Sequence, residues 1–245
     1  MRGIKASISE TVTRKVEKYQ QETPEPIHTR ALAFLIYFIT FVTGAVFLGM
    51  EIVASRVVAP YFGNSIYVWG SLISVFLLAL SIGYFLGGIL ADRMPNYKVL
   101  TAVIFGAGLL ILLVPLIQEP VGLLLSGLEW DIRLLVLLAV STYFLAPSIL
   151  MGMVSPYIIK LKTTQLAVLG RSAGNIYAVS TLGSITGAFL VSFVLITTFG
   201  TRVILLGSGF TLLIIACLCL LCAHLAENKF TARSVRISRG RRQHV

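Results

Sequence analysis

Chemistry in this sequence starts from Glu51, the single acidic residue inside a long apolar run, FVTGAVFLGMEIVASR. A charge at bilayer depth costs roughly 2.5 kcal/mol or more, so such a carboxylate is by default a functional hypothesis. It can take up a proton, hold an ammonium group or pair with a cation. Arg56 follows five residues on, a spacing that puts the two on different helix faces and disfavours an intrahelical pair. Arg133 or Arg202, from other outer connectors, are the alternative structural partners. Tyr61, Asn64, Tyr67 and Trp69 come next in the chain. With Glu51 and Arg56 these aromatics read as an acidic-aromatic mouth that holds an organic cation through cation–π contacts; as interface anchors they need no ligand. Asn175 and Tyr177 are the matching candidates near the opposite face.

Other chemistries find less support. Cys217, Cys219 and Cys222 share one apolar run, and Cys219 and Cys222 can share a helix face. A zinc site needs about four ligands, and no His or acidic residue accompanies them at membrane depth, so packing is the better account and no metal is expected. His28, His224 and His244 lie in tails or at the ends of the apolar region, and no Ser/His/Asp set or carboxylate pair shares one depth. We expect no catalytic residues and no cofactor.

The elements that must position Glu51 are membrane spans. Of 245 residues, 57% are hydrophobic and 12% charged, a balance far from that of a soluble domain. About 20 apolar residues cross the hydrocarbon core, and six runs qualify, at about 32–55, 67–91, 99–118, 133–157, 174–198 and 202–225. The expected fold is an all-α membrane protein with six transmembrane helices over residues 31–225, a cytoplasmic segment at 1–30 and a basic tail at 226–245. Pro120–Trp130 is short and Gly-rich and reads as an interfacial loop or half-helix. Pro147 interrupts span 4 midway, and Pro156 marks its end. The first run starts too late and is too long for a cleaved signal, so it is expected to remain.

Basic residues set the orientation. Six lie before span 1 (Arg2, Lys5, Arg14, Lys15, Lys18, Arg30), two between spans 2 and 3 (Arg93, Lys98), three between spans 4 and 5 (Lys160, Lys162, Arg171) and six after span 6 (Lys229, Arg233, Arg236, Arg239, Arg241, Arg242). Arg56, Arg133 and Arg202 are left for the other side. The positive-inside rule then puts both termini in the cytoplasm, N-in/C-in, in the plasma membrane. The formal charge of +10 is accounted for by anionic headgroups rather than nucleic acid. In residues 1–22, Ile4, Ile8, Val12 and Tyr19 fall near helical spacing, as in an amphipathic helix on the inner leaflet; a charged tail fits equally well.

Two stretches carry a resemblance. Gly88-Ile-Leu-Ala-Asp92-Arg93 followed by Lys98 resembles the cytoplasmic loop motif of the major facilitator superfamily, which implies a loop that latches one conformation of a transporter. More widely, Glu51, Arg56, the Pro60-Tyr-Phe-Gly63 turn, Trp69 and the Gly-rich end of span 2, with Gly170-Arg171, Gly174, Asn175, Tyr177, Gly183 and Gly187 of span 5, resemble the membrane domain of fused major-facilitator/spermidine-synthase proteins. The resemblance implies half of a facilitator fold, a 3+3 inverted repeat, and a small cationic substrate such as a polyamine.

Gly83-x-x-x-Gly87 in span 2 and Gly183-x-x-x-Gly187 in span 5 fit that repeat as corresponding helix-packing sites. The synthase domain of that family is not expected to have a counterpart in these residues: the stretch after residue 225, about 20 residues, is too short for a βαβ cofactor unit. The glycines at Gly106 and Gly108 lie inside a span and are explained by packing. Half a facilitator needs a homodimer or another membrane partner for alternating access. The other class of function is a non-transporting anchor for a separate soluble spermidine-synthase-like protein, docked on the basic tail.

The orientation makes a direct prediction. In a cysteine-free background, Glu129→Cys should react with a membrane-impermeant maleimide in intact cells, and Lys98→Cys only after permeabilisation; the reverse pattern would invert the topology.

Overall fold

In hydrocarbon, every peptide N–H and C=O must be bonded within its own segment, so a chain this apolar crosses as helix. The computed structural model describes residues 30–162 and 169–242, with side chains described over 32–162, 169–221 and at 223. It is all-α, with six helices long and apolar enough to cross a membrane. They are α1 (Arg30–Phe62), α2 (Ile66–Arg93), α3 (Tyr97–Ser126), α4 (Ile132–Lys162), α5 (Leu169–Thr198) and α6 (Thr201–Arg242). The apolar part of α6 is Thr201–Leu221, and the helix continues past it to Arg242. The alternatives for residues 1–22 fall outside the described residues.

Several helix ends differ from the sequence expectation. The Pro60–Gly63 segment is not a separate turn: Pro60 lies inside α1, whose helical φ its ring already matches, and the helix stops at Gly63. Gly63 has φ of 72° and donates its N–H to Ala59 O at 2.9 Å, the left-handed cap that a side chain would oppose. Pro120–Ser126 is neither a loop nor a half-helix but the last part of α3, which runs through both Pro115 and Pro120. Pro147 does not break α4. A π-helical stretch over Ser141–Leu145 just before it widens the backbone where the proline supplies no N–H, and the helix continues through Pro156 to Lys162. A second π-helical stretch lies in α5 at Val191–Leu195.

The facilitator-like loop is also shorter than expected. Gly88, Asp92 and Arg93 belong to α2, Lys98 to the first turn of α3, and only Met94–Asn96 connect them. Asn96 caps α3 by accepting the Lys98 N–H at 2.9 Å, and Asp131 caps α4 by accepting the Arg133 N–H at 2.8 Å.

Packing pairs α1 with α5, α2 with α4 and α3 with α6 most extensively. Next come α3 with α4 and α1 with α6, then α1 with α4, and after it α1 with α2 and α4 with α5. Lipid tails offer helices no hydrophobic drive to associate, so close fit must supply it. Glycine supplies the closest approaches. A Cβ on Gly183 would collide with Phe41 O of α1, and one on Gly187 with Ala45 O. On the other pair, a Cβ on Gly83 would stand 2.5 Å from Ile149 O, and one on Gly87 2.7 Å from Met153 Cα. Both glycine pairs are therefore packing surfaces, as their spacing implies. Gly88 is different: nothing stands within 4 Å of its Cβ position, so it permits no close approach. Between the pairs, Phe47, Phe76 and Phe144 link α1, α2 and α4 through ring contacts of 5.6 and 5.8 Å.

These contacts predict that Gly183→Ala and Gly187→Ala destabilise the bundle by about 1–3 kcal/mol, the usual range for overpacking. Gly88→Ala should leave the melting temperature in detergent unchanged. Equal tolerance of all three substitutions would contradict the packing described.

Candidate functional site

Glu51 sits deeper than the sequence boundaries implied. Because α1 extends to Phe62, eleven residues, about 16 Å of helix, separate Glu51 from that end. It lines a cavity of about 260 Å³ whose walls come from α1, α2, α4 and α5. Thr43 joins it from α1, Tyr84 from α2, Ser155 from α4, and Tyr177, Ser180, Thr181 and Ser184 from α5. The close α1–α5 and α2–α4 contacts hold these four helices around the slot. Tyr84 and Tyr177 meet edge to face with ring centroids 6.1 Å apart and bridge α2 to α5 at one end of it. Their rings are 39% and 41% exposed, so the slot opens away from the bundle between those two helices.

No described residue forms an ion pair or hydrogen bond with the Glu51 carboxylate. Arg56 is exposed and does not pair with it, and neither do Arg133 and Arg202. Three of the seven hydroxyls in the wall are committed as donors, and those of Tyr84, Ser155, Tyr177 and Ser180 are not. Thr43 donates to Ile39 O at 2.9 Å, Thr181 to Tyr177 O at 2.9 Å, and Ser184 to Gly44 O at 3.1 Å across the α1–α5 contact. With their protons spent on carbonyls, these oxygens present lone pairs.

The expected acidic-aromatic mouth does not assemble around Glu51. Tyr61 is ten residues further along α1, about 15 Å up the axis, and packs its ring on Gly122 of α3. Tyr67 lies under Arg133, whose guanidinium is 4.7 Å from the ring centroid and donates to the phenol oxygen at 3.2 Å. Trp69 donates its indole N–H to Asn64 at 3.0 Å. Arg202 donates to Pro115 O at 3.2 Å. Asn175 is exposed on α5 and is not part of the cavity wall. Of the sequence candidates, only Glu51 and Tyr177 share the slot; Tyr84 and the α5 hydroxyls were missed. A signal for the hydroxyls existed in the run of Ser180, Thr181 and Ser184 beside Gly183, on the face that meets α1.

The Gly88–Lys98 motif forms a second group of contacts. Asp92 pairs with Lys160 of α4 at 2.6 Å, both largely exposed, a pair worth little in water. Lys162 of α4 lies over Tyr37 of α1, 3.9 Å from its ring centroid, and donates to its hydroxyl. Tyr157, fully buried in α4, ties the Met94–Asn96 turn down: its hydroxyl donates to Met94 O and accepts the Asn96 N–H at 3.3 Å. Thus α4 holds both α1 and the α2–α3 turn at this end. Gly108, one of the glycines within a span, packs on α6, where its Cβ would stand 3.0 Å from Gly209 O.

Comparison with known proteins recovers no matching family model, no similar curated protein and no similar solved structure.

Tyr157→Phe should cost about 1 kcal/mol for the lost hydrogen bonds. Faster amide exchange at residues 96–98 with the rest of the bundle unchanged is the expected reading; unchanged exchange there would remove Tyr157 as the tie.

Proposed function

We propose that this multi-pass membrane protein is a half-facilitator that carries a small organic cation across the bilayer through the Glu51 slot. The observation that carries the reading is the carboxylate itself. It stands inside a membrane-spanning helix, about 16 Å of helix from the Phe62 end, without a partner among the described residues, in a cavity walled by four helices. A structural carboxylate at that depth would be expected to have a paired cation.

The facilitator plan is supported by the packing order. Exchanging α1, α2 and α3 with α4, α5 and α6 turns the α1–α5 contact into α4–α2 and leaves α3–α6 as itself. The lesser contacts exchange in the same way, α3–α4 with α6–α1 and α1–α2 with α4–α5. Gly83/Gly87 and Gly183/Gly187 then occupy equivalent places, as a 3+3 inverted repeat requires. In this reading the N-terminus is cytoplasmic and the chain is not an enzyme.

A second copy is assigned to the open side of the slot. The apolar windows of α5 and α2 are only 17% and 33% buried, the least of the six. A homodimer packed there would shield the carboxylate from lipid and supply the second half that alternating access needs.

A second reading rests on α6, whose helix extends to Arg242 beyond its apolar part and carries the basic tail residues into the aqueous phase. That geometry also suits an anchor for a separate soluble spermidine-synthase-like protein.

The deciding experiment is flux of a radiolabelled organic amine into proteoliposomes holding the full chain, compared with Glu51→Gln. The expected result is uptake by the parent protein and a loss of at least tenfold in the variant. Absence of flux in the parent, together with recovery from native membranes of a soluble protein that is released by deleting residues 227–245, would replace transport with anchoring.

A further inference from the structure

We infer that the slot is built for a single protonated amine, a primary monoammonium ion of a small organic molecule, and discriminates against polyamines and quaternary ammonium ions. The inference rests on the cation-carrying reading and specifies the ligand of that same site.

The charge in the slot sets the ligand's charge. Among the described residues, Glu51 is the only acidic side chain in the wall. One ammonium is neutralised by it. A second ammonium on the same ligand would lie in a wall of apolar, hydroxyl and phenol groups and would lose its hydration without a counter-charge.

The hydroxyls set the ligand's hydrogen-bonding character. Thr43, Thr181 and Ser184 have their donors engaged with backbone carbonyls, so what they offer a guest is acceptor lone pairs. The other hydroxyls of the wall, on Tyr84, Ser155, Tyr177 and Ser180, can also accept, so Glu51 and every hydroxyl around it can receive an N–H. A primary ammonium has three N–H donors to give to the carboxylate and to the acceptor oxygens of the wall. A quaternary ammonium has none and forfeits these bonds, while an anion meets the like charge of Glu51.

The other end of the slot sets the ligand's body. Tyr84 and Tyr177 present an edge-to-face ring pair beside Leu77 and Leu80, a surface suited to a short hydrocarbon segment. The cavity, at about 260 Å³, is smaller than the 300–1,000 Å³ typical of drug-sized ligands, so a small amine is the right scale.

The test is equilibrium binding of three matched probes to the full chain in lipid nanodiscs: n-butylammonium, n-butyltrimethylammonium and 1,4-diaminobutane. Butylammonium should bind at least tenfold more tightly than either of the others. Glu51→Gln should abolish that preference, and Thr181→Val should weaken butylammonium severalfold while leaving the quaternary probe unchanged. Glu51→Asp, which keeps the charge, should retain measurable binding and guards against a folding defect in the Gln variant.

Tighter binding of 1,4-diaminobutane than of butylammonium would overturn the inference, as would binding that is indifferent to Glu51. Because binding is read without flux, the two proposals fail separately. Selective binding with no transport would sink the carrier reading alone, and transport without this selectivity would sink the ligand assignment alone.

Discussion

The polar slot in this protein's interior depends on how closely two pairs of helices approach. The α1–α5 and α2–α4 contacts run backbone to backbone at Gly183, Gly187, Gly83 and Gly87, where any side chain would push the helices apart. In lipid such closeness is what makes association favourable, because apolar surface gains nothing by leaving the tails. Both contacts join helices that run in the same direction, since the paired positions rise together: Phe41 with Gly183 and Ala45 with Gly187 on one side, Gly83 with Ile149 and Gly87 with Met153 on the other. Tight pairing within each couple leaves a slot between them, bridged by Tyr84 and Tyr177. The slot is a consequence of where the glycines are.

Polar groups follow the same geometry. Ser184 can reach Gly44 O only because the two helices touch there, and Thr43 and Thr181 bond back to their own helices. Each of these bonds satisfies a hydroxyl that would otherwise be costly at this depth. Among the described residues Glu51 is the part-buried carboxylate that no such bond or ion pair satisfies, and Ser148 of α4 is a fully buried hydroxyl without a partner.

Away from the slot, polar side chains serve structure. Asn96 and Asp131 cap helices, Tyr157 secures the α2–α3 turn, and Arg133 rests on Tyr67. Asp92 and Lys98 belong to this framework around the α2–α3 turn, where α4 gathers the contacts through Lys160, Lys162 and Tyr157.

By itself the sequence determined the helical, membrane-spanning class, the presence of one carboxylate at depth, and the two glycine pairs, because apolar length and small-residue spacing are properties of a single helix read along its own axis. The helix ends were less legible: Pro60, Pro120 and Pro156 read as stops, yet each lies within a helix whose neighbours and capping residues carry it further. Only the tertiary structure decided which residues share the slot with Glu51. Tyr61, Tyr67 and Trp69 are nearest to it in the chain but lie a helix-length step above it, whereas Tyr84 and Tyr177 arrive from α2 and α5. Gly87 and Gly88 are likewise neighbours in sequence and opposites in role, since a rotation of about 100° per residue turns one toward α4 and the other away from any neighbour. Such choices belong to the packing of one helix on another, and periodicity along a single chain does not contain them.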